Sequence, residues 1–498
     1  MGSFGRRVFL AGSSAAIGVG LGRWVLPAKS GKGPAYPKFD SFAFAKGKIL
    51  DDASELEPTE IEKQVLINSD VDTAFIHRVR ALLIEARENK IPLIASTARH
   101  SMGGHSLPEK GIALTLSQSS IKADPATKTY RVAAGTRWQT VVSELDKIGF
   151  SPAVMQSNND FGIASTFSVN AHGWAVPYSG AGSTVRSIKM MIPDGTIQTC
   201  SRTQNVEIFR HAMGGYGLFG IILELELDMV PNSRLTPTFE PMPGKDIGPF
   251  FVQALKSDPT IQMAYGRLDV SLDRFFEQGM LITYRSSADQ KNLPPAAGPG
   301  MISHLSRLVF RNQLESDFGK QVRWWTETEL SPELVGEATR NSLLNEPVIA
   351  LADYSADRTD ILHEYFVAPD KFPDFIKACQ EVIPASYQQL LNVTVRFVNT
   401  DKDSVLAYAS EPRIASVMLF SQEKTERGEA DMAWMTRRLI ERVLAIGGSY
   451  YLPYRPHASL DQLKRAYPRA AEFAAFKRQL DTNMIFRNKV WDRYFSKL

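Results

Sequence analysis

A short loop with a histidine at its centre, residues 97–104, holds the residue types in this 498-residue chain that most clearly suit chemistry. It joins two apolar runs, 91–95 and 111–116, that are typical of buried strands. Small residues and glycine let backbone N–H groups approach a phosphate closely. His100 lies in the middle of the loop, beside whatever group carries that phosphate. We therefore predict a phosphate-bearing ligand here.

A second stretch, residues 155–173, also has the composition of backbone that touches a ligand. Serine, threonine, asparagine and glycine are interleaved there with hydrophobic side chains, which suits a buried polar ligand. In the glycine-dense run 214–220, either close backbone approach or a simple tight turn explains the composition. Further along, Glu364 and Arg396 interrupt strand-like apolar runs. Three explanations fit either residue: its side chain faces a pocket, it forms a buried ion pair, or it lies on a solvent-facing side of the strand.

The elements that must position these residues alternate between helix and strand. Asp72 is a candidate N-cap, because hydrophobic residues at helical spacing follow it. The elements predicted before Pro231 are a helix over 73–89, a strand over 130–133, a helix over 138–148, a hairpin over 185–200 and a strand over 221–230. Strand-like pieces then alternate with longer helices from 232 to 450, which predicts a second α+β domain over a sheet.

Bulk composition restricts the classes of protein that need consideration. A chain of 498 residues is too long for one ordinary core, so two or more domains are expected. The 57 basic and 54 acidic residues nearly balance, and no basic run carries interleaved aromatics, which argues against nucleic-acid binding. The only cysteines are Cys200 and Cys379, which excludes a thiolate metal site and a disulfide framework. We predict no metal site.

The N-terminus has the layout of an export signal. Arg6 and Arg7 precede a weakly apolar run to Gly22, which is shorter than the roughly 20 residues that span a bilayer, and small residues follow near Ala28. Paired arginines indicate the twin-arginine route, which carries folded proteins and so suits a cofactor loaded before export. We expect a periplasmic protein. The alternatives are an uncleaved anchor that holds it loosely at the membrane and an N-terminus that is basic only by chance.

The order of the motifs resembles that of a known flavoprotein family. Ile91-Pro92 with His100 eight positions after the proline, then Ser101 and Gly104, is similar to the first flavin loop of the vanillyl-alcohol-oxidase / p-cresol-methylhydroxylase (PCMH) superfamily. Residues 98–101, ARHS, resemble its sugar-alcohol and aldonolactone oxidase branch. The further matching motifs are SVNAHG at 168–173, PDG at 193–195, GGYGLFGII at 214–222, RPH at 455–457, YP at 467–468 and FRN at 486–488.

The resemblance implies an α+β fold with a two-subdomain PCMH-type FAD-binding domain and a substrate (cap) domain over the flavin. The divisions it suggests are a signal over 1–30, an arm over 31–58, the FAD-binding domain over 59–232, the substrate domain over 233–450 and a C-terminal segment over 451–498. That last segment is expected to return to the FAD-binding domain.

The same resemblance assigns the residues that would hold FAD. His100 matches the covalent histidine position when the count runs from Pro92, and His105 is the rival because GGHS at 103–106 resembles the family pattern locally. The residues expected to contact the cofactor are Thr97, Ala98, Arg99, His100 and Ser101 in the first loop, Gly162, Thr166, Phe167, Ser168 and Val169 in the second stretch, and Ile222. A histidine that only hydrogen-bonds the pyrophosphate is the alternative to covalent attachment.

Catalysis is expected near the C-terminal RPH motif. His457, with Tyr454 beside it, could take or polarise a hydroxyl proton during hydride transfer, and Glu364 and Arg396 are the other candidates. Members of the oxidase branch usually carry a lysine three residues after this histidine, where this chain has Leu460. We therefore do not expect this chain to activate a polyol in the way that members of the oxidase branch do.

The sequence leaves three functions open. The first is an exported FAD-dependent oxidoreductase that oxidises a CH–OH group of a sugar alcohol, aldonolactone or related alcohol and passes electrons to oxygen or another acceptor. The second is a dehydrogenase of the same fold that passes electrons to a quinone or redox protein. The third is a non-catalytic flavin-binding protein, which the missing lysine favours and the small residues at both flavin stretches oppose.

Overall fold

The structure, a computed structural model, describes residues 49–297, 313–347 and 356–498. The predicted signal segment and the arm up to residue 48 lie outside these ranges. Helices and strands are mixed along the described chain, which confirms the α+β class. Within the described ranges, the model contains no helix with the length and hydropathy needed to cross a membrane.

The first subdomain is a small parallel sheet with one helix packed on it. Its strands, in spatial order, are Lys63–Ile67, Ile112–Leu116 and Leu93–Ser96. The helix Thr73–Glu88 begins as predicted, because the Asp72 side chain accepts a hydrogen bond from the Phe75 amide at 2.8 Å. A short ribbon of Ile49–Leu50 and Thr59–Glu60 precedes the sheet.

The second subdomain is an antiparallel sheet of six strands. In spatial order it contains Ile197–Ser201, Val185–Met191, Ile221–Pro231, Thr129–Ala133 and Ile121–Asp124, and Phe150–Pro152 pairs with the far end of Ile221–Pro231. Its helices are Trp138–Asp146, Ile163–Ser168 and Val206–Ala212. The predicted hairpin and the predicted helix over 138–148 are both confirmed.

An eight-stranded antiparallel sheet organises the rest of the chain. Its spatial order is Ala338–Thr339, Arg234–Pro243, Gln278–Ser286, Ile261–Leu268, Gln389–Val398, Arg413–Glu423, Arg358–Val367 and Ser449–Tyr450. The helices Ile247–Ser257, Phe372–Val382 and Glu426–Ala445 pack together on it. Shorter helical pieces are Asp317–Trp325, Thr326–Leu330, Ser331–Leu334 and Arg340–Leu344. The chain passes into this sheet between Pro231 and Arg234.

The C-terminal segment lies against the first two sheets. It consists of the helices Leu460–Ala466, Ala470–Leu480 and Lys489–Arg493. The Leu93 amide donates to the Ile485 carbonyl at 2.8 Å, at the start of the strand that leads into the histidine loop. Asn488 Nδ2 donates to the carbonyls of His105 and Tyr216, at 2.8 and 3.1 Å. The tail therefore fixes both the histidine loop and the glycine-dense run.

Candidate cofactor and substrate cavity

A cavity of about 820 Å³ lies between the eight-stranded sheet and the first two subdomains. Its volume is within the usual range for a ligand site. The walls come from the histidine loop, the stretch 156–174, one face of the eight-stranded sheet and the tail residues Tyr451, Pro453 and Tyr454. The two stretches that the sequence singles out therefore face the same space.

The histidine loop is held from outside and keeps backbone donors toward the cavity. The Ala53 amide donates to the Ser101 carbonyl and the Met102 amide donates to the Pro453 carbonyl, both at 3.1 Å. Arg99 has a left-handed backbone, with φ of 53°. Among the described residues, no backbone acceptor takes the amides of Ala98, His100 or Ser101. Successive N–H groups in such a turn form an anion-binding concavity.

His100 and His105 both line the cavity. Nε2 of His100 is buried without a hydrogen-bond partner among the described residues, and its ring packs 4.3 Å from that of Phe161. Burial lowers the pKa of His100, and it lowers the pKa of His105 to about 4. The His105 ring lies 5.2 Å from that of Tyr216. Both imidazoles are therefore candidates for a ligand contact in their neutral form.

The second predicted stretch meets the first through a glycine. A side chain at Gly162 would place its Cβ 2.0 Å from Oγ1 of Thr97, so only glycine permits this approach. Thr97 Oγ1 in turn hydrogen-bonds Ser165 Oγ at 2.6 Å. The predicted cofactor residues that line the cavity are Thr97, Ala98, Arg99, His100, Ser101, Gly162, Thr166, Ser168, Val169 and Ile222.

Phe167 is a correction to the predicted set. Its side chain is 1% exposed and packs against Phe209, with ring centroids 5.6 Å apart, on the core side of the short helix Ile163–Ser168. Phe167 does not line the cavity. It fixes the helix that presents Thr166 and Ser168.

Three of the four predicted catalytic residues line the cavity together: Glu364, Arg396 and Tyr454. The Tyr454 hydroxyl donates to Glu364 Oε2 at 3.3 Å. Arg396 donates to Ser157 Oγ at 2.5 Å and to the His172 carbonyl at 3.4 Å. These contacts join the eight-stranded sheet, the tail and the second stretch around one carboxylate.

His172 completes this group, although its sequence pattern favours a structural role equally. Its Nε2 hydrogen-bonds Glu364 Oε1 directly, and both side chains are almost fully buried. Both also line the cavity. The only sequence signal was its position at the end of SVNAHG, because its partner lies 192 residues away.

His457 is the second correction, because it does not line the cavity. Its Nε2 hydrogen-bonds Glu429 Oε1 at 2.8 Å and its Nδ1 lies 3.2 Å from Thr436 Oγ1. Arg455 also binds Glu429 Oε1, at 2.5 Å. Burial opposes the charge on Glu429, yet the hydrogen bond and charge of His457, with Arg455, bring its pKa down to about 2. The tail thus turns His457 toward the helix Glu426–Ala445 and Tyr454 toward the cavity.

The eight-stranded sheet contributes polar residues that the sequence reading did not single out. Asn392, Thr394 and Arg396 alternate along Gln389–Val398 and share one face. Arg267 on Ile261–Leu268 donates to Asn392 Oδ1 at 3.0 Å and to Thr394 Oγ1 at 2.6 Å. Glu346 also lines the cavity, and burial raises its pKa to about 7.

The residues present fit the FAD that the sequence suggests. The amides of the histidine loop suit a pyrophosphate, and the buried Nε2 of His100 and Oγ of Ser101 have no partner among the described residues. The glycine contact at residue 162 lets the two stretches form one wall. The opposite wall carries the Glu364 group, where a substrate would meet the cofactor.

Comparison with known proteins agrees with this reading. Residues 76–201 match the family described as an FAD binding domain. The chain is 24% identical over 162 residues to cytokinin dehydrogenase 9 of Oryza sativa, covering 32% of this chain and 31% of that protein. It is 30% identical over 115 residues to a putative D-arabinono-1,4-lactone oxidase of Neurospora crassa, covering 23% and 21%. It is 25% identical over 127 residues to L-gulonolactone oxidase of Mus musculus, covering 26% and 29%.

The resemblance to PCMH-type FAD-binding oxidoreductases is thereby confirmed. The chain spans less than a third of the length of these curated relatives. The family match covers residues 76–201, which lie within the predicted FAD-binding domain. The sheet that supplies Glu364 and Arg396 lies outside residues 76–201.

Proposed function

This chain carries a PCMH-type FAD-binding domain, and from that premise we propose that it is an FAD-dependent oxidoreductase acting on a CH–OH group of a sugar alcohol, aldonolactone or related alcohol. One observation carries the proposal. A buried carboxylate, Glu364, faces the cavity with His172 and Tyr454 bonded to its two oxygens. A buried carboxylate that is held in place in this way can act as a general base toward a substrate hydroxyl.

Each residue of the group then has a distinct part. FAD, when bound, supplies a hydride acceptor. Glu364 takes the proton of the substrate hydroxyl, and His172 and Tyr454 hold the carboxylate in place. Arg396 stabilises the negative charge that develops on the substrate oxygen, because a guanidinium in a water-poor site favours an oxyanion. His457 is a positioning residue, since it contacts Glu429 behind the wall.

Glu364→Gln tests this function. In anaerobic mixing with a panel of alcohols, lactones and hydroxy acids, we expect the variant to bind FAD normally and to reduce it at least about 100-fold more slowly than the unaltered protein. Glu277→Gln, an exposed glutamate on the same half of the chain, is the matched control. Equal reduction rates for the two variants would exclude Glu364 as the base. A protein that stays colourless after incubation with FAD, or whose flavin no alcohol, lactone or hydroxy acid reduces, would contradict the enzymatic function and favour a non-catalytic role.

We further propose that the flavin is attached covalently through His100. The count from Pro92 supports this choice, and Nε2 of His100 is buried without a partner among the described residues; His105 remains the alternative because it lines the same cavity and both of its ring nitrogens are likewise buried without a partner there. Acid precipitation should leave FAD on the polypeptide, and His100→Ala should release it. Release by His105→Ala instead would move the attachment to the second histidine, and release from the unaltered protein would exclude covalent attachment.

The electron acceptor is proposed to be oxygen, with a quinone or redox protein as the alternative. Residues 156–158 line the cavity, which makes them the candidates for controlling access to a bound flavin. After anaerobic reduction, reoxidation should be fast with dissolved oxygen. Fast reoxidation by a soluble quinone together with a slow reaction with oxygen would assign the protein as a dehydrogenase.

Export by the twin-arginine route is also proposed, and it rests on the sequence from Arg6 to Ala28. The intact chain should reach the periplasm with FAD already bound, and Arg6→Lys/Arg7→Lys should leave it in the cytoplasm. Fractionation of cells that express both forms measures this. Recovery of the unaltered chain in the membrane fraction would favour the uncleaved anchor.

A further inference from the structure

One row of side chains crosses the cavity face of the eight-stranded sheet. Arg267 is in register with Thr394, Thr394 with Val417, and Val417 with Glu364. All of these residues line the cavity. The row therefore has a guanidinium at one end, the proposed catalytic carboxylate at the other and an apolar side chain between them.

The charge of Arg267 is not neutralised by an ion pair among the described residues. Its hydrogen bonds to Asn392 and Thr394 go to neutral oxygens, and its guanidinium lies 5.1 Å from the Tyr265 ring. Arg323, behind the wall, donates to the same Asn392 oxygen at 2.7 Å. Glu327 pairs with Arg323 at 2.9 Å and also feels the charge of Arg267, so two guanidinium groups share one carboxylate and a net positive charge remains beside the cavity.

A further donor lies beside this arginine. Trp174 lines the cavity and packs edge-on against Tyr265, with ring centroids 5.2 Å apart. Its indole Nε1 is buried and has no hydrogen-bond partner in the part of the chain that the structure describes. A buried N–H without an acceptor is costly, which points to an acceptor on the ligand.

We propose that Arg267 binds a carboxylate of the substrate, which narrows the substrate from the alcohols and lactones of the proposed function to a related alcohol that carries a carboxylate, a hydroxy acid. This inference rests on the proposed function. A guanidinium holds a carboxylate through two parallel hydrogen bonds, which a neutral hydroxyl cannot form. The Arg267 guanidinium lies above Gln389–Val398, two strands from Arg358–Val367, or roughly 10 Å. A chain of a few carbons joins a carboxylate at Arg267 to a hydroxyl at Glu364.

Matched pairs of sugar acids and sugar alcohols test the inference. The probes are aldonates of four to six carbons and the alditols of the same length, titrated into the flavin-loaded protein while the flavin spectrum and tryptophan fluorescence are followed. We expect at least one aldonate to bind at least about tenfold more tightly than its alditol. Arg267→Gln should weaken that aldonate about 10- to 100-fold and leave the alditol and the flavin content unchanged. Arg267→Lys keeps the charge, so its affinity for the aldonate should lie between those of the unaltered protein and Arg267→Gln.

The control is Arg285→Gln, because Arg285 lies on the neighbouring strand, pairs with Asp258 at 2.6 Å and does not line the cavity. The Arg285→Gln variant should still bind the aldonate more tightly than the alditol. Equal binding of acid and alditol, binding of no aldonate, or loss of flavin from Arg267→Gln would each overturn the inference. Arg267-dependent binding of an aldonate that never reduces the flavin would support the inference and contradict the proposed oxidation.

Discussion

Tyr454 acts on Glu364 as a hydrogen-bond donor, because it keeps its own proton. Burial and the neighbouring Glu364 carboxylate raise the pKa of Tyr454 well above its ordinary value. A hydroxyl that stays protonated can donate to the carboxylate throughout the working range of pH. The side of Glu364 that remains open to the cavity is then the one that can take a proton from a substrate.

Single residues also differ in how far the sequence alone indicates that they belong to the site. Glu364 and Arg396 were candidates because each is a polar residue within an apolar strand, although an ion pair or a solvent-facing side explained that pattern equally well. His172 could not be chosen over a structural histidine, since its partner is known only once the sheet and the second stretch meet. The sequence did not indicate Arg267 either, because its hydrogen-bond partners Asn392 and Thr394 belong to a strand that is distant in the chain.

Glu346 provides a pH test at this scale. Burial raises its pKa to about 7, so the folded state holds this proton more tightly than the unfolded chain does. Its contribution to stability therefore falls as the pH rises from about 4.5 to about 7, and the penalty persists above that. Glu346→Gln should raise the free energy of unfolding by roughly 1–2 kcal/mol at about pH 8, after allowance for partial exposure, and by almost nothing near pH 4.5.

Urea unfolding of the flavin-loaded protein at both pH values measures this difference. Glu329→Gln, at an exposed position of the same region, should show no pH-dependent change. A constant difference between the Glu346→Gln variant and the unaltered protein at the two pH values would mean that Glu346 is not a buried titrating group.

At the scale of elements, local chemistry predicted the histidine loop and the helix before it. Asp72 caps Thr73–Glu88, and the strands Leu93–Ser96 and Ile112–Leu116 enclose the loop as the apolar runs indicate. The strand Arg234–Pro243 was not predicted, because Pro237 and Pro241 lack the N–H that a central strand donates. Beyond Leu235 this strand pairs on one side only, with Gln278–Ser286, so the prolines leave no ladder bond unmade.

Asp52 ties the arm to the histidine loop, which gives a prediction at this scale. Its Oδ2 accepts from the Gly104 amide at 2.7 Å, and its Oδ1 accepts from the Ser54 amide at 3.0 Å and the Ser54 hydroxyl at 2.6 Å. Asp52→Ala leaves these buried donors without an acceptor, so we expect about 1–3 kcal/mol of lost stability and faster release of FAD from a non-covalent form. Asp124→Ala, in an exposed turn, is the control.

Dialysis of the flavin-loaded His100→Ala variant with and without Asp52→Ala measures the release. Burial raises the pKa of Asp52 to about 6, so the Asp52 carboxylate of the folded protein becomes protonated below about pH 6. An unchanged release rate would show that the arm does not hold the loop, even if the stability falls.

At the scale of the whole molecule, the cavity exists only when three separate parts of the chain meet. The first two subdomains supply the loop and the second stretch, the eight-stranded sheet supplies Glu364 and Arg396, and the tail supplies Tyr454. The motif order in the sequence predicted this return of the tail, but it did not predict the direction of each side chain. That direction depends on Glu429, which attracts Arg455 and His457 and leaves Tyr454 on the cavity side.

The tail itself depends on a fully buried ion pair, and the last prediction concerns it. Lys477 and Asp481 are 0% exposed and bond each other directly, while Asp481 also accepts from the amides of Ile485 and Phe486 at 3.0 and 2.8 Å. Asp481→Ala leaves an uncompensated buried ammonium, so we expect about 3–5 kcal/mol of lost stability at pH 7. Burial lowers the pKa of Lys477 to about 8 even though Asp481 opposes this shift, so without Asp481 the lysine should lose its proton more readily, and part of the stability loss should disappear as the pH is raised from 7 to about 9. Lys477→Met in the Asp481→Ala background should recover a similar part at pH 7, and urea unfolding of the single and double variants compares them. If the double variant is as unstable as Asp481→Ala alone, the capping of residues 485 and 486, and not the charge pair, holds the tail against the loop.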